Sequence, residues 1–234
     1  GAALQSGPQA WPIEVFPQQV EVLIQFLEDA MGLSGDEGGF AEDHPYQGIH
    51  AQPLGPNRVP VWMLGSGGDG AVHAAQMGLP YVYAHFINPD NLAEAVDVYR
   101  RHFRPSRFLQ EPKVVMATSA LCADTQEEAD YYARPRNIWA ALLMQNKAGV
   151  FPTLQEAQDF EMSDTDKAYF QMISQRGFTG ATENVLQQLD DVTRQYDIAE
   201  VFVLTLIPDL QARKTSYRLL AEQAGLTASA VAAQ

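Results

Sequence analysis

The strongest chemical signal in the sequence is a short glycine-rich run. It consists of Gly65, Ser66, Gly67, Gly68, Asp69 and Gly70. The run follows a predicted strand and leads into a helix predicted at 71–77. Glycines let the backbone approach a ligand closely, and the free N–H groups at the start of a helix face an anion. The run therefore predicts a phosphate-binding loop, and a plain glycine-rich turn is the alternative.

The same run matches the dinucleotide pattern G-x-G-x-x-G through Gly65, Gly67 and Gly70. Two features oppose a Rossmann site. Such a site needs an acidic residue at the end of the next strand, where it binds the ribose hydroxyls. Here that strand ends with Ala84, His85 and a phenylalanine. The run also follows a long preceding segment, so it does not lie in a first βαβ unit. Dinucleotide binding is thus the weaker alternative.

His85 is the second candidate for chemistry. It is predicted at the carboxyl end of a strand, where the active sites of parallel α/β folds gather. A histidine there can donate to a ligand or act as an acid or base. It can equally cap a loop carbonyl, and the sequence leaves both interpretations open.

Other polar residues give weaker signals. His44 and His50 lie with Asp43 in an acidic loop, but no tight spacing of ligands supports a metal site, and none is predicted. Ser119 and Cys122 share a predicted strand without a histidine and an acid arranged for a nucleophilic triad. The catalytic base therefore stays unassigned, and the cysteine is predicted to be a small core residue.

Alternating strands and helices must position these residues. Apolar runs predict strands at 59–64, 81–86, 113–123 and 200–207, and apolar residues at helical spacing predict helices after them. Four strand–helix units with right-handed crossovers imply a parallel sheet with helices outside. The whole chain, 1–234, is interpreted as one domain. Within it, 32–56 and 134–180 are predicted to be long loops or insertions, with helical pieces in the second.

Three side chains are predicted to cap helices. Thr125 forms a capping box with Glu128, and Thr182 and Asp209 precede later helices. The segment 179–183 is interpreted as a turn followed by such a cap.

The amino-acid composition excludes several classes of protein. The chain has 234 residues, 46% hydrophobic and 19% charged, which is typical of a globular protein. A single cysteine excludes a disulfide within the chain and fits a reducing cytoplasm. The net charge of −14 disfavours nucleic acid and anionic membranes as partners. No apolar run approaches the roughly 20 residues of a membrane helix, and no signal peptide is visible. The expected location is the cytoplasm.

Short segments along the chain carry a family resemblance. They are VWMLGS at 61–66, AAQMGLP at 74–80, AHF at 84–86, YRRHFRPS at 99–106, CADTQEEA at 122–129, FTGATE at 178–183 and SYRLLA at 216–221. In this order and spacing they resemble the bacterial luciferase-like flavin-dependent monooxygenases. The resemblance runs from about residue 16 to residue 224.

The resemblance implies a fold, a cofactor and site residues. The fold would be an α/β, (βα)8 TIM-type barrel, of which this chain supplies about four βα units. The cofactor would be FMN, reduced by a partner flavin reductase or by bound NAD(P)H. The family's phosphate loop falls on 65–70: Gly65 and Ser66 match, whereas Gly67 and Gly70 replace residues that commonly carry hydroxyls. Ala84 and its histidine neighbour at position 85 match positions that line the flavin.

We therefore expect an FMN-dependent monooxygenase that uses O2 on a small organic substrate. The alternatives are a non-catalytic flavin-binding or assembly module and, more weakly, a nicotinamide-dependent dehydrogenase. The match is to the carboxyl half of the barrel, and a half-barrel exposes strand edges and an apolar face. The chain would then be a fragment, a homo-oligomer, or one that pairs with a missing half-barrel.

Overall fold

The computed structural model describes residues 12–32, 40, 42–55 and 59–226. Contacts divide the chain into two compact units, Gly1–Trp62 and Met63–Gln234. The interpretation of the whole chain as a single domain stays a prediction.

The described residues of the first unit form one α-helix, and a loop among them returns to the end of this helix. Helix α1 spans Phe16–Asp29, with a proline in its first turn, where the missing N–H is not needed. The carboxylate of Asp29 accepts a hydrogen bond from the N–H of Ala51 at 2.8 Å and lies 3.1 Å from Nδ1 of His50. The rings of Phe26 and Phe40 meet edge to face, 4.6 Å apart. These contacts attach part of the predicted loop 32–56 to the helix.

The second unit alternates strands with helices. Its strands are β1 (Met63–Gly65), β2 (Tyr81–Ala84), β3 (Val114–Ala123), β4 (Phe178–Ala181) and β5 (Glu200–Leu204). Its helices are α2 (Gly68–Gln76), α3 (Leu92–His102), α4 (Gln126–Met144), α5 (Leu154–Asp159), α6 (Asp164–Ser174), α7 (Thr182–Tyr196) and α8 (Leu210–Gln223). Helices α5 and α6 are helical pieces of the kind expected within 134–180.

All pairings in the sheet are parallel, as predicted. β1 pairs with β2, and β2 pairs with residues 114–117 of β3. β5 pairs with 115–119 of β3, and β4 pairs further along, with 120–123. The strand β3 is nearly all buried, which explains its continuous apolar run. β1, β2, β3 and β5 correspond to the four predicted strands.

The strand β4 corrects the interpretation of 179–183 as a turn and cap. Its first residue, Phe178, is 6% exposed and pairs with Ala120 of β3. The preceding Gly177 has a φ of +98°, and a Cβ there would lie 2.7 Å from the carbonyl oxygen of Ser119. The backbone thus approaches β3 too closely for a side chain. A four-residue strand with two small residues gives no alternating pattern by which a sequence reveals it.

Two element boundaries also differ from the predicted ones. β1 begins at Met63 rather than at 59, and α2 begins at Gly68 rather than at 71. The glycine-rich run therefore forms the first turn of the helix as well as the loop before it. Glycine has a low helix propensity, so the sequence places the start of this helix too late.

Side-chain caps are confirmed at two of the three predicted positions. Thr125 Oγ1 accepts from the N–H of Glu128 at 3.1 Å, and the carboxylate of Asp209 accepts from the N–H of Ala212 at 2.7 Å. The reciprocal half of the predicted capping box is absent, because the carboxylate of Glu128 accepts from the N–H of Asp124 at 3.3 Å and not from that of Thr125. The predicted cap at Thr182 is wrong, because this residue is already helical and its hydroxyl donates to the carbonyl oxygen of Ala123 at 3.2 Å.

The sheet buries one set of side chains under helices and leaves another exposed. Tyr81 and Tyr99 of α3 stack 5.4 Å apart and are fully buried. By contrast, Leu64 on β1 is 58% exposed, and Phe202 and Leu204 on β5 are 47% and 41% exposed. The exposed apolar face expected for a half-barrel is thus present. No helix in the described part of the chain is long and apolar enough to cross a membrane.

Candidate functional site

The structure brings the glycine-rich run and Ala84 to the same edge of the sheet. Gly65, the last residue of β1, pairs with Tyr83 of β2. Because neighbouring strands lie about 4.8 Å apart, Ser66 and Ala84 follow side by side at the carboxyl edge. This is the edge where parallel α/β folds bind their ligands.

The glycine-rich run presents helix N–H groups to open space. Gly67 is the N-cap of α2, with extended backbone (φ −147°), and accepts the first helical hydrogen bond from Ala71 at 3.3 Å. The N–H groups of the first turn after it have no partner within the helix. A Cβ placed on Gly67 or Gly68 would meet no atom within 4 Å. The loop therefore leaves room for an anion in front of the helix dipole.

Tyr81 holds the backbone of the glycine-rich run through its hydroxyl group. Its hydroxyl lies 3.1 Å from the carbonyl oxygen of Gly65 and 3.3 Å from that of Gly67. Burial raises the pKa of Tyr81 well above its ordinary value of 10.0, so the hydroxyl stays protonated and donates. Two carbonyl oxygens that would repel an anion are thereby directed toward a donor. Asp69 works in the opposite sense, because its exposed carboxylate stands in the first turn of α2 and repels anions there.

His85 begins the turn after β2 and is only 8% exposed. Its Nδ1 lies 2.9 Å from the hydroxyl of Thr118, and its ring stacks nearly parallel on Phe178, 5.4 Å away. Burial lowers the pKa of His85, and Asp90 opposes this shift in part. The imidazole is therefore neutral at neutral pH. Its polar contact is with a side-chain hydroxyl, not with the loop carbonyl that the sequence left as an alternative.

The turn after β2 is held by a second tyrosine. The hydroxyl of Tyr83 donates to the carbonyl oxygen of Asn88. Burial raises the pKa of Tyr83 to about 12. This hydrogen bond connects the far end of the turn that carries His85 to strand β2.

A cavity of about 500 Å³ opens beyond the ends of β2 and β5, beside Ser119 in the middle of β3. Helices α4 and α6 supply its other walls. Most of its lining is apolar, and includes Phe86, Ile87, Trp139, Leu143, Leu204 and Leu206. Its polar side chains are Ser119, Arg136 and Arg176. Such a cavity, apolar with a few polar groups, is typical of small-molecule sites.

The two arginines of the cavity give no local sequence signal. They lie 40 residues apart, on α4 and in the turn after α6. Only the packing of these helices brings them to one cavity. Helical spacing of Trp139 and Leu143 on α4 indicates an apolar face, but it does not show what that face covers.

Cys122 is 3% exposed, as predicted for a core residue. Burial raises the pKa of its thiol to about 11, so the thiol is protonated and a poor nucleophile. Among the described residues, no group of three or more His, Cys, Asp and Glu side chains is placed to hold a metal ion.

Comparison with known proteins identifies the wider group to which this arrangement is similar. The family model for luciferase-like monooxygenases matches residues 20–196. The protein YceB of Bacillus subtilis (strain 168) is 34% identical over 207 residues, covering 88% of this chain and 60% of its own. A luciferase-like monooxygenase of Escherichia coli (strain K12) is 28% identical over 207 residues, covering 88% of this chain and 58% of its own.

The structural comparison agrees with the sequence comparison. The crystal structure of apo-MsnO8 superposes with a TM-score of 0.77 at 27% identity, covering 97% of this chain and 64% of that chain. The α/β class and the parallel sheet of a partial TIM-type barrel are thus confirmed. The chain spans about three fifths of the length of the curated relatives it matches.

Proposed function

Because the chain belongs to the luciferase-like monooxygenase family, we propose that it forms the cofactor-binding part of a flavin-dependent monooxygenase. The cofactor is reduced FMN, supplied by a flavin reductase or reduced in place by NAD(P)H. The co-substrate is O2, and the substrate is a small organic molecule. The observation that supports this best is the open space before the first turn of α2, at the same sheet edge as Ala84.

The phosphate of FMN would sit on the N–H groups that follow Gly67. The whole chain carries a net charge of −14, so its overall field repels a phosphate. Attraction must come from the helix dipole and from backbone donors at short range. Tyr81 supports this by holding the carbonyl oxygens of Gly65 and Gly67 in hydrogen bonds.

Ala84 and His85 would form one wall of the flavin site. A small side chain at position 84 leaves room for a planar ring, and the neutral His85 adds no charge that would bias its redox state. His85 is oriented by Thr118 on one side and by Phe178 on its ring face. Activation of O2 is the chemistry that the flavin supplies when bound. The protein's part is to bind and orient the flavin and to exclude water from it.

A titration of the purified chain with FMN and with riboflavin tests this proposal. Both share the ring system, and only FMN has the phosphate. Quenching of flavin fluorescence should show FMN binding about tenfold or more tightly than riboflavin, since charge-assisted hydrogen bonds to the phosphate are lost in the latter. Equal affinities would show that the glycine-rich run does not bind the phosphate.

Turnover distinguishes the proposed enzyme from the alternatives. A monooxygenase consumes O2 when reduced FMN and an accepted substrate are supplied, and its rate depends on the substrate. A non-catalytic flavin-binding module binds FMN but leaves O2 consumption at the rate of free reduced FMN. A dehydrogenase that uses the glycine-rich run binds NAD rather than FMN.

The exposed apolar face of β1 and β5 would contact further polypeptide. Leu64, Phe202 and Leu204 are each more than two fifths exposed, which is unfavourable for side chains of this size in water. A second copy of the chain, or the remaining strands of a barrel, would bury them.

A further inference from the structure

We propose that Thr118 is a positioning residue, whose hydroxyl holds His85 in the tautomer that carries its hydrogen on Nε2. His85 then acts toward a bound flavin as a neutral hydrogen-bond donor and not as a base. The tautomer is a property of the chain alone. The donor role rests on the proposed function, because it concerns the same flavin site.

A buried contact joins Thr118 to His85. Thr118 lies within β3, where it is fully buried and pairs with Val203 of β5. Its Oγ1 lies 2.9 Å from Nδ1 of His85. Among the residues that the structure describes, neither the hydroxyl nor the imidazole has a second hydrogen-bond partner. The ring of His85 also stacks on Phe178, so the plane of the ring and the position of Nδ1 are both set.

The direction of this hydrogen bond follows from what each alternative would leave unpaired. If Nδ1 carried the hydrogen and donated it, the hydroxyl hydrogen of Thr118 would have no acceptor, at a residue with no exposure to water. Leaving a buried donor unpaired is costly. If the hydroxyl donates instead, its hydrogen and the lone pair of Nδ1 are both satisfied. A neutral imidazole carries hydrogen on one nitrogen only. The hydrogen of His85 therefore lies on Nε2.

Nε2 is the atom of this ring that a ligand can reach. In the described part of the chain, every fully buried side-chain nitrogen or oxygen has a hydrogen-bond partner. Nε2 of His85 has no partner there, so it is not fully buried, although the residue as a whole is only 8% exposed. His85 comes directly after Ala84, the last residue of β2. The ring therefore presents an N–H group, and not a lone pair, to a ligand that reaches this atom.

The same contact opposes a role as a base. The free lone pair of the ring is on Nδ1, where the hydroxyl of Thr118 already binds it. Uptake of a proton would make both ring nitrogens donors and would leave the hydroxyl hydrogen of Thr118 without an acceptor. Burial also lowers the pKa of His85. A flavin ring carries carbonyl oxygens and ring nitrogens that accept hydrogen bonds, and a neutral donor suits them.

Nitrogen NMR of the imidazole groups in the full chain tests the tautomer without any flavin. A ring nitrogen that carries hydrogen resonates far from one that does not, and the signals that disappear in H85Q belong to His85. At neutral pH we expect hydrogen on Nε2 and none on Nδ1. In T118V the two signals should move toward those of a mixture of tautomers. Hydrogen on Nδ1 in the parent overturns the inference.

Threonine variants test the positioning role in FMN binding. T118V removes the hydroxyl and keeps the branched shape, and T118S keeps the hydroxyl. T205V is the matched control, because Thr205 is 1% exposed and its hydroxyl donates to the carbonyl oxygen of Ala120 at 2.7 Å. Fluorescence titration should show T118V binding FMN about fivefold less tightly than the parent. T118S and T205V should bind it like the parent.

The control separates positioning from stability. T118V and T205V each lose one buried hydroxyl, so urea unfolding should show similar losses of stability in the two variants. An unchanged FMN affinity in T118V overturns the role of Thr118. An equal loss of FMN affinity in T205V overturns it as well, because the effect would then follow from stability alone.

Variants of His85 distinguish a donor from a base. The side-chain amide of glutamine donates from about the position of Nε2 but does not take up a proton, and leucine does neither. H85Q should therefore keep most of the FMN affinity of the parent, and H85L should lose about fivefold. Equal losses in the two variants overturn the donor role.

The two kinds of measurement separate this inference from the proposed function. If the parent binds no FMN, the proposed function fails and the donor role with it, while the tautomer stands or falls by NMR. If FMN binds and Nδ1 carries the hydrogen, the inference fails and the flavin site stands.

Discussion

The hydroxyl of Tyr81 donates to the carbonyl oxygen of Gly65 across 3.1 Å, joining β2 to the start of the glycine-rich run. The same hydroxyl lies 3.3 Å from the carbonyl oxygen of Gly67. One buried side chain therefore sets the direction of two peptide groups, and with them the direction of the N–H groups that follow.

The variant Tyr81→Phe should weaken FMN binding more than it weakens the fold. Loss of one hydroxyl costs about 1 kcal/mol of stability, but it frees two carbonyl oxygens to turn toward the phosphate. We expect FMN affinity to fall about tenfold by fluorescence titration. Tyr99→Phe is the control, because its hydroxyl bonds with Leu79 and Lys113 instead. If both variants bind FMN like the parent, Tyr81 has no part in the loop's function.

Gly67→Ser should strengthen FMN binding. A Cβ at this position would meet no atom within 4 Å, and the extended backbone suits serine. Its hydroxyl can donate to the phosphate, for a gain of about fivefold in affinity. Gly67→Ala adds the same Cβ without a donor and should bring no gain. Tighter binding in the alanine variant as well would contradict the role given to the hydroxyl.

Gly78→Ala should destabilise the fold strongly. Gly78 has a φ of +61°, and a Cβ would lie 2.4 Å from Cβ of Ser106 and 2.6 Å from the carbonyl oxygen of Arg104. Strain and overlap together should cost about 2 kcal/mol or more. Gly225→Ala is the matched control, since its φ is +71° but nothing lies within 4 Å. Urea unfolding of both variants should show the larger loss at position 78, and equal losses would mean that only backbone strain matters.

Stability should fall as the pH falls through the range of histidine. The pKa of His85 in the folded protein lies below its ordinary value of 6.5. Below about pH 6.5 the unfolded chain takes up a proton that the folded chain resists. The contribution of neutral His85 to the free energy of unfolding is therefore fully present above about pH 6.5. It is lost as the pH falls toward the pKa of His85 in the folded protein. Urea unfolding at about pH 7 and about pH 5 should show this loss in the parent, and a smaller one in His85→Gln. An unchanged slope in the variant would assign the effect to other groups.

Charge on the exposed apolar face should prevent association. Phe202 and Leu204 alternate with the half-buried Val201 and Val203 along β5. In Phe202→Glu a buried contact with a second polypeptide would cost desolvation of the new carboxylate. Sedimentation velocity should show a smaller species than the parent forms. Val150→Glu, at a site that is 94% exposed, serves as the control. A parent that sediments as a monomer would remove the basis of this prediction.

Most of the fold is local enough to be predicted from the sequence. The strands at β2, β3 and β5 are apolar runs bounded by turn residues, and the helix starts at Thr125 and Asp209 have their caps beside them. The strand β4 cannot be predicted in the same way, because it forms by pairing with residues 120–123 of β3. Those residues lie more than fifty positions earlier in the sequence.

The site is predictable only in its contiguous part. The glycine-rich run can be recognised from the sequence because one continuous segment forms both the loop and the start of α2. The bond from His85 to Thr118 spans 33 residues, and no spacing rule links the two. Arg136 and Arg176 line the same cavity only because α4 and α6 pack beside each other over the sheet. Such packing of distant segments cannot be read from the sequence.

The position of β3 determines when during synthesis the site can form. Its backbone is contacted by Thr205, 85 residues beyond its partner Ala120, and by Ser216, 94 residues beyond Cys122. A chain synthesised only as far as residue 200 therefore carries a central strand with one open side. Such distant contacts slow folding and leave strand edges available for wrong pairing. Nascent chains of this protein should depend on chaperones until α8 has left the exit tunnel.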